Sequence, residues 1–525
     1  MVFMKLTSLV IFICFATIFF QTTTEALCHE TDKTALLAFK SKITQDPSDL
    51  LETWNRSTDC CTHWDGVGCD HYNGRVIKVI RPGIVEDPGG IYSEMEMHGT
   101  ISPSLGNLEF LRVLDLSNLQ FLMGSIPSQL GKLLNLTTLS LNGNRLSGTI
   151  PASFQEMSSL TILGLSENQL SGKIPSSIGK LVSLRSLDFH GNKFSGSIPS
   201  TIGSLKDLVD INLSDNQLSG IIPISIGELS KLDELDLSLN RLSGSIPSSL
   251  FKPVSLRVCR LSNNKFTGSI PTSSISSTTG LQRLYLDNNM LTGELPEWLL
   301  PAMNLTSLDL SNNALAGELP RWIGNMTSLS SLNLSNNGFH SAIPVEFKNL
   351  LYLMELDLHS NNFTGGLDSI LAKKYGSWYG RYSILDLSDN MFAGPIDEDI
   401  GNLDTMQSIE ILVLSNNPLG GYIPKSLGKL GGLEILKLEN NGLMGTIPTE
   451  LSTATSWLRS IVLSNNNLTG GLPSNVMNLP RLEVFDVSRN MLTGEIPPHD
   501  ATIPAASFEG NSGLCGSPLP PCNSV

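Results

Sequence analysis

Leucines fall two or three residues apart along most of the chain, followed each time by one asparagine, one glycine and an Ile-Pro pair. The stretch "LTILGLSENQLSGKIPSSIGKLVSL" begins at Leu160, and "RSLDFHGNKFSGSIPSTIGSLKDL" follows at Arg185. The two share the spacing of their apolar residues, Asn, Gly and Pro, and hardly any charged residue. Their skeleton, L-x-x-L-x-L-x-x-N-x-L-x-G-x-I-P, places its Asn at 144, 168, 192, 216, 240, 264, 289, 313, 337, 361, 390, 417, 441, 466 and 490. The steps are of 24 residues, with 25 into 289 and 466, 29 into 390 and 27 into 417. A degenerate copy spans Leu111 to Pro127, and an earlier one runs from Val76 to Leu108, giving about 17 repeats.

Each fixed position has a physical reason. In "SLDFH" the alternation predicts a short strand with Leu187 and Phe189 inward and Ser186, Asp188 and His190 outward. One repeat cannot bury that apolar edge alone, so the repeats must stack, each covering the next. The Asn stands where the chain leaves the strand and can satisfy backbone groups otherwise orphaned in the interior. Gly permits the turn, and Ile-Pro opens an extended outer segment that no helix could continue. A fixed period of 20 to 29 residues with this Leu and Asn pattern is the leucine-rich repeat signature. The expected architecture is an α/β solenoid: a right-handed leucine-rich repeat superhelix with short parallel strands on its concave face and disulfide-capped ends. Packing fixes the skeleton, and the drifting positions are free to carry recognition.

At 525 residues an ordinary globular chain would divide into several domains, a limit that a repeat array escapes. The formal charge is −15, which argues against nucleic acid, pectin-like polyanions and anionic membranes as partners of the surface as a whole, though not against a local basic patch. Residues 1–26 read as a signal peptide: Lys5, an apolar run from Leu6 to Phe20, and small residues near Ala26. No later run reaches about 18 apolar residues, so no membrane span is expected and the mature chain is expected to be secreted to the extracellular space or cell wall. Of the eight Cys, Cys14 leaves with the signal, and Cys28, Cys60, Cys61, Cys69, Cys515 and Cys522 cluster at the two ends, as suits an oxidising compartment. Four N-terminal cysteines allow three connectivities. Cys259 is left over in a leucine slot, where it is expected to be a buried free thiol.

The repeat form with "LSG-x-IP" resembles that of plant extracellular leucine-rich repeat proteins. "ALLAFKSKITQDPSDLLETWN" and "CCTHWDGVGC" (Ala35 to Cys69) resemble their N-terminal capping domain, and "FEGNSGLCGSPLPPC" (Phe508 to Cys522) is similar to their C-terminal cap. The resemblance divides the chain into a capping domain at 27–75, the repeats at 76–497 with a short insertion near 368–382, and a cap and tail at 498–525. It implies pairing of Cys28 with Cys60, Cys61 with Cys69, and Cys515 with Cys522. The group includes polygalacturonase inhibitors, ectodomains of receptor-like proteins and receptor kinases, and an ice-binding relative. It implies a secreted recognition protein for a protein or peptide ligand in the apoplast, in defence or signalling. The partner would be a membrane receptor kinase or a microbial enzyme, and the chain a monomer until that partner binds. Inhibition of a microbial wall-degrading enzyme such as polygalacturonase, or adsorption to ice or cell wall, are the alternatives.

Nothing in the chain reads as catalytic. No Gly-x-Ser-x-Gly elbow occurs, the eight His are scattered, and the repeated serines belong to "LSLN" and "LDLS". The column of outward Asp (Asp115, Asp188, Asp236, Asp309, Asp357, Asp386, Asp486) is repeat vocabulary on a solvated face, so no catalytic group, metal or cofactor is expected. Eight N-glycosylation sequons occur, at Asn55, Asn135, Asn212, Asn304, Asn325, Asn333, Asn362 and Asn467. Asn212 and Asn333 occupy the outward position between two strand leucines, so glycans there would stand on the concave face. Between them lie Glu234, Asp236, Arg260, Arg283, Tyr285, Asp287 and Asp309, and Arg and Tyr are residue types enriched in binding hot spots. This window is one expected contact surface. The insertion is the other, through Lys373, Lys374, Tyr375, Trp378, Tyr379, Arg381 and Tyr382.

Overall fold

A computed structural model describes residues 27–86, 90, 92–271, 280–300, 302–373, 380–453, 457–499 and 502–522. The signal peptide expected at residues 1–26 lies outside them. The chain opens with the α-helix Glu30–Lys40, which buries Ala35, Leu36 and Phe39 against the first repeats. Its side chain Asp32, fully buried, accepts hydrogen bonds from Arg75 Nε (2.9 Å) and a second guanidinium nitrogen (3.0 Å), and from the Val76 amide (2.8 Å). That pair joins the cap helix to the first repeat strand. Disulfides Cys28–Cys60, Cys61–Cys69 and Cys515–Cys522 close the two ends, with the pairing that the resemblance implies.

Two sheets line the array. The concave sheet begins with the antiparallel pair Val67–Cys69 and Val76–Ile80, and continues as parallel three-residue strands from Val113–Asp115 to Val484–Asp486, one from each repeat. Register is strict: Leu163 pairs with Leu187 and Leu187 with Ile211, so one buried residue per strand stacks into a continuous apolar row. A second, lateral sheet is built by the residues around each "N-x-L-x-G" step, as in Gln169–Lys173 and Lys193–Gly196. It runs unbroken to Met391–Phe392 and resumes, through a single bridge from Tyr422, at Met444–Gly445. The interruption falls on the repeat where Pro418 takes the first strand position and has no N–H to donate.

The asparagine forms the expected ladder. Asn168 Nδ2 donates to the carbonyls of Leu141 (2.9 Å), Leu165 (3.2 Å) and Ser166 (2.9 Å), and its Oδ1 accepts the Leu146 amide (2.9 Å). The same set recurs from repeat to repeat, each buried amide tying its own turn to the one before. Gly172, at the G-x-I-P step, has φ +81°, the left-handed turn that glycine allows. The outer wall is made of short 3₁₀ turns, most of them five residues long and entered from a proline, as in Ser176–Lys180. They pack so tightly that a Cβ on Gly179 would lie 2.4 Å from the Thr201 carbonyl oxygen. Beyond the cap helix, the only α-helical segments among the described residues are the single turns Asp368–Leu371 and Ser474–Met477.

Candidate recognition surface

On the three-residue parallel concave strands the middle residue is buried and the first and third lie on the outward side, where Val258, Gly164 and Val413 are nonetheless covered by their neighbours. The register aligns Asn212, Asp236, Arg260, Tyr285, Asp309 and Asn333 as one row across six strands. Glu234, Val258, Arg283 and Ser307 form a parallel row beside it. The window expected from the sequence is therefore a contiguous patch, in which Arg283 is exposed and Glu234, Asp236, Arg260, Tyr285, Asp287 and Asp309 are half-buried.

Within the row, Arg260 reaches in both directions. Its guanidinium lies 3.9 Å from Asp236 Oδ2 and 5.8 Å from the centre of the Tyr285 ring. In nine other repeats the same position carries Asp or Asn whose Oδ1 accepts from the Ser or His two residues on, as Asp236 does from Ser238 N and Oγ at 2.9 and 2.6 Å, while Ser140, Gly164, Val413, Lys437 and Val462 hold it in others. Arg260 and Tyr285 cannot make that local bond, which leaves their polar groups available. Asp287 binds the Ser262 hydroxyl and the Asn288 amide. Burial raises the pKa of Asp309 against its hydrogen bonds from Ser311 and Asn333, and the nearby charge of Asp287 acts in the same direction as burial.

Both concave sequon asparagines point outward. Their Oδ1 atoms accept the Ser214 and Ser335 hydroxyls at 2.7 Å, and Asn333 Nδ2 lies 3.4 Å from Asp309 Oδ2. Asn362 and Asn467 open strands of the lateral sheet, Asn325 ends a 3₁₀ turn, and Asn135 donates to the Glu109 carbonyl. Asn304 is exposed, and Asn55 caps Ser57.

The insertion departs from expectation at its root. Tyr382 is fully buried, and its hydroxyl donates to the Ile370 carbonyl at 3.1 Å. The Lys373 ammonium sits 3.5 Å from the centre of the Tyr382 ring and donates to the carbonyls of Gly380 (2.8 Å) and Leu353. Burial lowers the Lys373 pKa to about 7. Both side chains thus close the neck of the longer repeat rather than face a partner. The ring fills core volume where the chain rejoins the array, and this takes Tyr382 and Lys373 out of the contact surface. Arg381 remains half-buried beside them, while Lys374, Tyr375, Trp378 and Tyr379 lie outside the described residues.

Asp357, His359 and Asp386 each place a ligand atom within 4.8 Å of the others. Those atoms already serve the fold: Asp357 Oδ1 bonds His359 Nδ1 at 2.7 Å, and Asp386 Oδ1 accepts from Ser388 N and Oγ. Sequence reasoning passed over two other features. Arg481 stacks over Trp457 at 3.8 Å, beside an Arg459–Glu434 pair at 3.3 Å, where an exposed Trp was the available signal. A pocket of about 470 Å³ opens at the lateral-sheet break, between Pro395, Tyr422, Pro424 and Pro448, and Pro418 and Tyr422 marked that repeat as unusual.

Residues 93–361 match the description of a leucine-rich repeat region, residues 29–70 that of a leucine-rich repeat N-terminal domain, and 408–430 and 457–479 that of single leucine-rich repeats. The chain is 41% identical over 135 residues to the leucine-rich repeat protein FLOR 1 of Arabidopsis thaliana, covering 26% of this chain and 37% of that protein. Other relatives include plant receptor-like proteins. The matched stretches span about a third or less of the curated relatives' length. Among solved structures, that of PEPR1–AtPEP1 agrees with a TM-score of 0.80 at 28% identity, over 94% of this chain and 70% of that one. The ectodomain of the plant membrane receptor kinase GASSHO1/SCHENGEN3 from Arabidopsis thaliana, in complex with CASPARIAN STRIP INTEGRITY FACTOR 2, agrees with a TM-score of 0.61 at 33% identity, over 81% and 55%.

Proposed function

The chain belongs to the leucine-rich repeat family, and from that premise we propose that it is an extracellular recognition protein whose concave face holds a protein or peptide ligand. The carrying observation is the Asp236–Arg260–Tyr285 cluster. Its Arg260 and Tyr285 sit mid-row between strands whose Asp or Asn at the same position are bonded to their own turns, Asn212, Asp236, Asp309 and Asn333, and both the cation and the aromatic ring are half-exposed. A ligand carboxylate or backbone carbonyl can take the free guanidinium hydrogens, while the Tyr285 ring supplies rigid apolar area at small entropic cost.

Support comes from three directions. The ectodomain of GASSHO1/SCHENGEN3 is solved with a bound factor, and this chain shares its architecture. Disulfides close both ends, as suits an oxidising exterior. No helix among the described residues is long and apolar enough to cross a membrane. Glycans on Asn212 and Asn333 would bound the patch and confine a ligand to the strands between them.

The test is direct. A ligand isolated by affinity capture from plant wall extract or pathogen culture filtrate should bind the triple variant R260A/R283A/Y285A at least about ten-fold more weakly, a loss of about 1.4 kcal/mol. Equal affinity of variant and parent would end the concave-window reading.

A further inference from the structure

The lateral sheet has a charge distribution opposite to that of the whole molecule. Its seven strands from Leu122–Ser125 to Lys265–Ser269 carry Arg145, Lys173, Lys193, Arg241 and Lys265 and not one acidic residue, in a chain of net charge −15. All five are exposed. Four of them, Arg145, Lys193, Arg241 and Lys265, hold the same place, the first residue of a strand. Some cations elsewhere are neutralised, as in Lys206–Glu228 at 2.7 Å, Lys425–Glu450 at 3.2 Å and Arg257–Asp233, and others such as Lys132 and Lys252 stand singly on the outer wall rather than in a row. None of these five has a carboxylate within 4.0 Å among the described residues. Arg145 is pre-oriented instead: its guanidinium lies 4.2 Å from the centre of the Phe121 ring, which stacks on His98 at 4.3 Å.

Beside the cations runs a second row, Ser147, Ser171, Ser195, Ser219, Ser243 and Thr267, the third residue of successive strands. Its hydroxyls face the same side as the cations because strand residues alternate. The face is narrow. Exposed Glu167 and Asp215 occupy the corners between the lateral and concave sheets, so a broad anionic surface would meet repulsion there while a single chain laid along the cations would not. The sequons of the lateral row, Asn362 and Asn467, fall beyond the cationic half and leave it free of glycan.

We infer that the cationic half of the lateral sheet binds a linear polysaccharide that carries carboxylates. Its carboxylates pair with Arg145, Lys193, Arg241 and Lys265, and its ring hydroxyls exchange hydrogen bonds with the Ser/Thr row. A nucleic acid fits less well, since across these strands Phe121 alone offers a ring for bases to stack on. The site is separate from the concave window, so the peptide reading and this one stand or fall independently.

Alginate serves as the probe, with neutral dextran and phosphatidylserine-containing vesicles as comparisons. The full chain should be retained on immobilised alginate at about 50 mM NaCl and released at about 500 mM, where screening shortens electrostatic reach to a few ångströms. The R145A/K193A/R241A/K265A variant should lose at least about ten-fold in affinity while its melting curve is unchanged. The outer-wall variant K132A/K180A/K252A should bind as the parent does. Absence of retention, equal binding to dextran or vesicles, or equal loss in the outer-wall variant would each overturn the inference.

Discussion

Leu239 stands at the corner preceding a ladder asparagine with φ 54°, a conformation that its side chain resists. Seven other repeats place Asn at that corner: Asn263, Asn288, Asn312, Asn336, Asn416, Asn440 and Asn465. Leu239 is half-exposed and buries little that would be lost. Leu239→Asn should therefore raise stability by about 0.5–1 kcal/mol, read as a higher urea midpoint at unchanged slope, and a lower midpoint would refute the strain argument. Cys259 makes the opposite case. It is fully buried between Leu235 and Leu284, and burial raises its pKa to about 12, with the Asp236 charge adding and Arg260 opposing. No thiol should label in the native, non-reduced protein and one should label after denaturation; three would mean that a disulfide had not formed. Cys259→Ser should cost about 1–3 kcal/mol, because its hydroxyl would enter an apolar row with no acceptor.

At the level of elements, the cap helix is tied to the first repeat by one buried ion pair as well as by its apolar face. Asp32 is completely buried and takes three hydrogen bonds from Arg75 and Val76, so removing it strands a guanidinium that is itself largely covered. Asp32→Ala should cost about 3–5 kcal/mol and loosen the N-terminal end first. Hydrogen exchange would show it as lost protection in Val76–Ile80 with the central strands unchanged, and uniform loss would refute a local clasp. This contact was not readable from the sequence. Asp32 and Arg75 lie 43 residues apart, and nothing in a helix with acidic residues in its first turn marks one of them as buried. The strands and the asparagine ladder were readable, because each is imposed fifteen times by the same spacing. The 3₁₀ character of the outer wall follows from segments too short for helical turns between a proline and the next leucine. The buried Tyr382 was misread because an aromatic residue in an insertion has the same sequence signature whether it fills a neck or faces a partner.

Across the whole molecule, the strand pairings among the described residues join each repeat to its neighbours along the array, so stability is close to a sum of repeat and interface terms and the ends are the weak points. The contact patches escape sequence reading for a related reason. Periodicity says which positions face outward, but Arg260 differs from the neutralised Arg257 only through what stands beside it on the adjacent strands. The three disulfides do not contribute equally. In the chain-entropy picture the stabilisation grows with the loop closed, so Cys28–Cys60, 32 residues apart, should contribute about 4 kcal/mol and Cys515–Cys522, 7 apart, about 2–3 kcal/mol. Reduction should therefore split what is otherwise a cooperative transition. The two terminal regions should lose amide protection first, the N-terminal cap showing the larger change, while strands between Glu234–Asp236 and Ser331–Asn333 keep theirs until the array melts. Hydrogen exchange with and without reductant measures this gradient. Central strands that open as early as the ends would show that the caps do not hold the array.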